Sequence, residues 1–199
     1  MYIKLRDSTA NQENRTTSEI MKILMIKGLP IKSIKDIKKI KKKYKEKEMY
    51  LDLLMFLLVI NTGLKMATIF EMKVSQLKGK KYIPIAKGIT FLLTNEMREL
   101  INIVTADKEP NDFVFARRIK DKVSRYGYYC NFKDICAELG LYNTSIDSWR
   151  RTFGYHSFQK YNDLFFLQWY FNQNTAEQTM DFIDVKEPMS SRFKQGLEL

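Results

Sequence analysis

The longest apolar run of the chain, Leu53 to Ile60, lies inside a stretch from Tyr50 to Asn61 that is hydrophobic on nearly every side. A helix of this kind has no polar face to turn towards water, so it lies in a protein core or in a membrane. The run is far shorter than the ~20 residues that span a bilayer. The sequence therefore predicts a buried central helix, and Gly63 beyond it suits a left-handed C-terminal cap.

The segment before this stretch predicts a second helix with a strongly basic surface. Pro30 precedes it, and Ser33 followed by Asp36 forms a weak capping pattern. Residues close to helical spacing predict one buried stripe: Ile31, Ile34, Ile37, Ile40 and Tyr44. Residues 32–47 contain nine lysines but only two carboxylates, and charge this one-sided repels itself without a partner. A solvated lysine face is one interpretation, but we favour a surface that contacts phosphate.

The remaining chain combines a small β-hairpin with further helices. Residues 81–85 and 89–93 predict two strands around Ala86-Lys87-Gly88, and Pro84 restricts the first strand to an edge position. A helix is expected from a cap at Thr94 to Val104. Others are expected at about 117–139, 148–160, 162–172 and 175–183. The expected fold class is mainly α with a small antiparallel β-sheet.

Composition restricts the class of protein. The 199 residues are 45% hydrophobic, enough for one compact domain, and carry a formal net charge of +11. Such charge favours a nucleic-acid partner, although a lysine-rich protein can be basic without binding DNA. One histidine and two cysteines form no zinc-binding pattern, so we expect no metal and no cofactor. The N-terminus resembles no signal peptide, and we expect a cytoplasmic protein without membrane contact.

Four segments, taken in order, resemble the catalytic domain of tyrosine recombinases, the phage integrase family. They are Asn-Thr-Gly-Leu-Lys at 61–65, Asn-Asp-Phe-Val-Phe at 111–115, Trp-Arg-Arg-Thr-Phe-Gly-Tyr-His at 149–156 and Phe-Asn-Gln at 171–173. Their order and spacing are specific, although no single segment is. The resemblance implies the DNA breaking-rejoining fold for residues 29–185. A polar N-terminal arm with a short helix (1–28) and a C-terminal tail (186–199) would flank this domain.

The resemblance also implies where an active site would lie. Family members attack DNA with a tyrosine, clamp the phosphate with two arginines, and move protons with a hairpin lysine and histidines. The counterpart of the first arginine is Lys65, that of the hairpin lysine is Lys87, and that of the first histidine is Asp147. The second arginine corresponds to Arg150, the later histidine or tryptophan to Gln173, and the tyrosine to Phe182. Lys87 is equally well explained as an ordinary exposed turn residue.

Several of these positions have lost the chemistry that strand cleavage requires. Phe182 has no oxygen with which to attack a phosphodiester. Lys65 lacks the bidentate fork of arginine, and Gln173 cannot carry a proton at neutral pH. Asp147 is expected to cap its helix and to neutralise part of the charge of Arg150. Arg150 is the best-preserved catalytic feature, and the sequence therefore predicts a recombinase fold without recombinase chemistry.

The basic surface that remains suits the backbone of duplex DNA. The residues expected to contact DNA are Lys38, Lys39, Lys42, Lys43, Lys65, Lys87, Arg117, Arg118, Arg150 and Arg151. We expect a non-cleaving DNA-binding protein that serves as a repressor-like regulator or accessory factor of a mobile element or prophage. Two alternatives stay open: a protein-interaction module that modulates an active recombinase, and an active integrase.

A further expectation concerns assembly through the tail. Met189, Phe193 and Leu197 recur at four-residue spacing among polar residues. Because family members exchange C-terminal segments between protomers, the resemblance implies a homo-oligomer formed through this tail. The alternative is a frayed terminus. A recombinase partner is the other macromolecule that we expect besides double-stranded DNA.

Overall fold

The computed structural model of the protein describes residues 28–86, 88–116 and 125–186. Within these ranges it contains helices and one β-hairpin. In chain order the helices are α1 (Ile34–Glu46), α2 (Tyr50–Thr62), α3 (Met66–Phe70), α4 (Val74–Leu77), α5 (Asn95–Val104), α6 (Arg125–Glu138), α7 (Ile146–Tyr161), α8 (Leu164–Phe171) and α9 (Ala176–Ile183). The strands, β1 (Tyr82–Ala86) and β2 (Ile89–Leu92), lie between α4 and α5. The predicted mainly α fold with a small antiparallel sheet is confirmed.

Helix α2 is the centre of the core, as its sequence predicts. Side chains on all of its sides are buried, and it packs against α1, α3, α5 and α7. The ring of Phe56 contacts Trp149 edge-on at a centroid distance of 5.4 Å, and the ring of Phe132 stacks on that of Phe56 at 6.1 Å. The helix ends at Gly63, whose φ of 68° is the predicted left-handed cap. None of the described helices is long and apolar enough to cross a membrane.

Helix α1 begins as predicted but buries less of its apolar stripe. The Ser33 side chain accepts a hydrogen bond from the backbone N–H of Asp36 at 3.1 Å, which makes Ser33 the N-cap. Ile31, Ile37 and Ile40 are buried, as is Tyr44. Ile34 is 55% exposed, so its place in the buried stripe was predicted wrongly. It is the first residue of the helix.

The β-hairpin is the only sheet in the described residues. Its strands pair antiparallel, with Ile83 opposite Phe91, and a register shift follows Pro84. Both strands are therefore edges, which suits a proline that lacks an N–H. The short helices α3 and α4 were not predicted. Each is at most five residues long, too short to show a helical repeat in sequence.

The C-terminal helices form a second, smaller apolar cluster beside the main core. Its buried members are Phe158, Leu167, Phe171 and Ile183. The helix predicted at 117–139 is observed from Arg125 to Glu138, and residues 117–124 lie outside the described ranges. Most of the expected N-terminal arm (1–27) and most of the tail (187–199) also lie outside them.

Candidate functional site

A cleft of about 660 Å³ opens where the end of α2 meets α3, the start of α7 and α9. Five positions that the sequence had singled out line it: Lys65, Asp147, Arg150, Arg151 and Phe182. These residues come from three separate parts of the chain, so the fold brings them together. The cleft is therefore the candidate functional site.

Arg150 is held in place by the end of the central helix. Its Nε donates a hydrogen bond to the carbonyl oxygen of Gly63 at 2.7 Å, and its guanidinium carbon lies 4.7 Å from the ring centre of Phe171. Its terminal nitrogens make no hydrogen bond to any described residue. Burial lowers the pKa of Arg150, but a guanidinium remains charged at neutral pH. The side chain therefore presents a fixed positive charge whose terminal donors are not used by any residue in the described ranges.

Phe182, which the family resemblance aligns with the nucleophilic tyrosine, packs against two arginines. Its ring centre lies 6.0 Å from the guanidinium carbon of Arg150 and 4.7 Å from that of Arg151. On another side it contacts the ring of Phe171 at 4.8 Å. The ring is half-buried and packs on the smaller apolar cluster. An aromatic hydrocarbon thus borders the cleft at the position that the resemblance predicts for the nucleophile.

Arg151 differs from its neighbour because it is buried. Only 8% of the residue is exposed, and Nη1 donates a hydrogen bond to the carbonyl oxygen of Phe182 at 3.0 Å. Its Nε is buried without a hydrogen-bond partner among the described residues. Burial lowers its pKa as well. Arg151 therefore joins α7 to α9, and its predicted contact with DNA stays a prediction.

The expected roles of Asp147 require correction. The N-cap of α7 is Ser145: its side chain accepts from the N–H of Asp147 at 3.3 Å, and Ser148 completes a reciprocal capping box. Asp147 is thus already inside the first turn. Its carboxylate pairs with Arg125 of α6 at 2.5 Å rather than with Arg150. The expected cap was wrong because two serines at the correct spacing precede and follow Asp147.

Lys65 lines the cleft, but Gln173 lies apart from it. The Lys65 side chain is exposed at the start of α3 and forms no ion pair with a described residue. The Gln173 amide instead donates to the carbonyl oxygen of Gln178 at 3.4 Å, at the start of α9. Three predicted site residues, Lys87, Arg117 and Arg118, lie outside the described residues.

Tyr170 and Trp169 were not expected at the site. Both line a smaller adjoining cleft of about 320 Å³, together with Lys65 and Arg150. The Tyr170 hydroxyl donates to the carbonyl oxygen of Thr62 at 2.5 Å. Burial raises the pKa of Tyr170 to about 12, although the charge of Arg150 opposes the rise. Tyr170 is therefore a neutral donor at physiological pH. The place of Tyr170 at the site follows from the contact between α8 and the end of α2, which the sequence does not show.

The lysines of α1 are compensated more than the sequence suggested. Glu96 of α5 binds Lys41 and Lys45 at 2.5 and 2.7 Å, and Glu138 of α6 binds Lys47 at 2.6 Å. Burial alone would raise the pKa of Glu96, but the two lysines outweigh it and lower the pKa. Lys39, Lys42 and Lys43 also lie near carboxylates, whereas Lys38 pairs with none in the described residues. Carboxylates of α5 and α6 thus supply part of the partner that this charge was expected to need, and phosphate contact by the helix stays a prediction.

Comparisons with known proteins give a family match, a curated relative and a solved structure of similar fold. The Phage integrase family matches residues 29–188 of this chain. The probable integrase/recombinase YoeC of Bacillus subtilis (strain 168) is 26% identical over 164 residues, which cover 79% of this chain and 90% of YoeC. The crystal structure of XerA recombinase matches with a TM-score of 0.61 at 14% identity, covering 83% of this chain. The match spans only 61% of the XerA chain, and at this identity it shows a shared fold alone.

The family match and the structure concern the same part of the chain. Residues 29–188 include α1 to α9 and every position that lines the two clefts. The resemblance inferred from four short segments is confirmed by a match over most of the chain. The protein belongs to the phage integrase family.

Proposed function

We propose that this protein binds duplex DNA without cleaving it and acts as a regulator or accessory factor of a mobile element. The observation that carries the proposal is the Phe182 ring between Arg150 and Arg151 at the border of the larger cleft. The cleft keeps charge that suits a phosphate but has a hydrocarbon at the nucleophile position. Binding and cleavage are therefore separable in this chain.

The charge in the cleft supports DNA contact. Arg150 is oriented by Gly63 and has free terminal donors, and Lys65 has no carboxylate partner among the described residues. Planar guanidinium groups match the geometry of phosphate oxygens. Among the described residues, the only acidic side chain that lines this cleft is Asp147, which is paired with Arg125. One clamping arginine and one exposed lysine thus remain available to a DNA backbone.

Several departures support the loss of cleavage. Without a hydroxyl at position 182, a covalent intermediate cannot form there. Tyr170 is a poor substitute, because its hydroxyl is tied to the carbonyl of Thr62 and its raised pKa disfavours the phenolate. Gln173 is directed towards Gln178 rather than the cleft. Removing a single charge-stabilising donor costs on the order of 10²–10³ in rate, so each of these changes opposes cleavage.

The proposal is tested first by recovering genomic DNA of the source organism on the purified full chain across a salt series. Discrete fragments that survive near physiological salt would support a regulator or accessory factor and would identify its sites. Uniform fragments that are lost as salt rises would indicate charge attraction alone. That result would contradict the proposal and favour the alternative of a module that modulates an active recombinase.

A second experiment tests the loss of chemistry. Nicked duplexes carrying a recovered site are incubated with Phe182→Tyr, and a denaturing gel detects any covalent protein–DNA adduct. We expect no adduct, because Lys65, Asp147 and Gln173 are unchanged. The matched variant adds Lys65→Arg, Asp147→His and Gln173→His, and an adduct from it alone would show that the fold still supports cleavage. An adduct from Phe182→Tyr alone would show that the changes at Lys65, Asp147 and Gln173 matter less than proposed. An adduct from the unaltered protein would refute the proposed loss of cleavage.

A further inference from the structure

The smaller cleft combines a positively charged side with an aromatic side. Its volume is about 320 Å³, and it lies between the start of α3, the end of β1 and helix α8. Lys65 and Arg150 contribute the charge. Trp169 contributes the indole ring, and this residue is 52% exposed. A volume near 300 Å³ is the lower end of the range for small-ligand sites. The cleft can therefore hold one small planar group but not a DNA helix.

Trp169 is supported from behind by other rings. Its centroid lies 6.0 Å from that of Phe166 and 6.4 Å from that of Tyr170. Phe166 and Tyr170 stack on each other at 5.5 Å, and the Tyr170 hydroxyl is anchored to the end of α2. A large aromatic residue that is held in place yet half exposed is typical of a binding surface. The indole thus has the properties of a preformed stacking platform.

We propose that this cleft binds one unpaired nucleotide of DNA, with the base stacked on Trp169 and its phosphate held by Lys65 and Arg150. Every base has a face that can stack on an aromatic side chain, so recognition of this kind is tolerant of sequence. The two cations supply the charge that a phosphate requires. The inference rests on the proposed function, since it specifies which feature of DNA the site recognises.

A preference for distorted DNA follows from this arrangement. A base must leave the helical stack to reach Trp169, and this costs least where the base is already unpaired. A duplex with one unpaired nucleotide should therefore bind better than the same duplex fully paired. We expect the preference to be roughly tenfold or more, the usual contribution of one stacked base.

The test measures the affinity of the full chain for these two duplexes. Trp149 is fully buried and Trp169 is half exposed, so quenching of the exposed indole reports stacking of the base. Trp169→Leu should reduce the ratio of the two affinities to about one and abolish the quenching, whereas Trp169→Phe should retain part of the preference. The matched control is Phe165→Leu on the same helix: Phe165 is 82% exposed and does not line the cleft. This variant should keep the full preference.

The outcomes separate the inference from the proposed function. Specific binding of the paired duplex without any preference for the unpaired nucleotide would overturn the inference and leave the proposed function intact. An unchanged preference in Trp169→Leu would also overturn it, because stacking would then occur elsewhere. Failure to bind either duplex would overturn the proposed function and the inference with it.

Discussion

The replacement Gly63→Ala tests the junction that joins the central helix to the candidate site. Gly63 has a φ of 68°, and a Cβ added to it would lie 2.3 Å from Cδ1 and 2.7 Å from Cε1 of the Phe153 ring. The ring cannot simply turn away, because it packs against Tyr170 and Phe171 at centroid distances of 5.5 and 6.2 Å. The same glycine accepts the hydrogen bond that orients Arg150.

Two costs add in this variant. A left-handed conformation costs a residue with a Cβ roughly 1–2 kcal/mol. Forcing an additional carbon into a packed site costs roughly 1–3 kcal/mol more. We therefore expect Gly63→Ala to lower the free energy of unfolding by roughly 2–5 kcal/mol, and each kcal/mol lowers Tm by about 2–4 °C in a protein of this size.

The matched control is Gly140→Ala. Gly140 has a nearly identical φ of 71°, but an added Cβ would meet no atom within 4 Å. This variant should therefore show the backbone cost alone, roughly 1–2 kcal/mol. Urea unfolding followed by the fluorescence of the buried Trp149 measures both free energies. Equal losses in the two variants would refute the reasoning, because the close approach of Phe153 would then contribute nothing.

Two further predictions concern capping and pH. Ser145→Ala should reduce the free energy of unfolding by about 1 kcal/mol, because it removes the N-cap of α7. Asp147→Asn should cost less, since the ion pair of Asp147 with Arg125 is half exposed. If chemical unfolding gives the opposite order, Asp147 and not Ser145 is the residue that stabilises the start of α7. In the folded protein the pKa of Glu96 lies below its ordinary value of 4.5. Its ion pairs with Lys41 and Lys45 therefore stabilise the fold fully above pH 4.5, and this stabilisation is lost as the pH falls through the folded pKa. The stability advantage of the protein over Glu96→Gln should accordingly be present at pH 7 and vanish under acid, and an advantage that does not change with pH would contradict the assignment.

Features that depend on neighbours in sequence were predicted well. The ends of α1, α2 and α5 follow from Ser33, Gly63 and Thr94, because a cap is a contact between residues at most four apart. Asp147 shows the limit of this approach. Several polar residues near the start of α7 could serve as its N-cap. In the structure the backbone is extended at Ser145 and the helix begins at Ile146, so Ser145 is the N-cap.

The candidate site was only partly predictable. Lys65, Asp147, Arg150 and Phe182 were placed through the family resemblance, and the structure brings all four to one cleft. The neutralisation of α1 by Glu96 and Glu138 could not be predicted, because these carboxylates lie about fifty residues or more along the chain from the lysines that they bind. A net charge calculated for one segment of sequence does not include carboxylates that lie far along the chain and pair with it only in the fold.

The sequence by itself determined the longer helices, the family and the lack of a side-chain hydroxyl at position 182, since each depends on residue identity and local spacing. Only the tertiary structure decided the environment of those residues. It placed Phe182 between two guanidinium groups, anchored Arg150 to Gly63 and set Trp169 beside a charged cleft. The physical reason is that contacts between residues 87 or 108 positions apart form only when whole helices pack, and no local pattern specifies them.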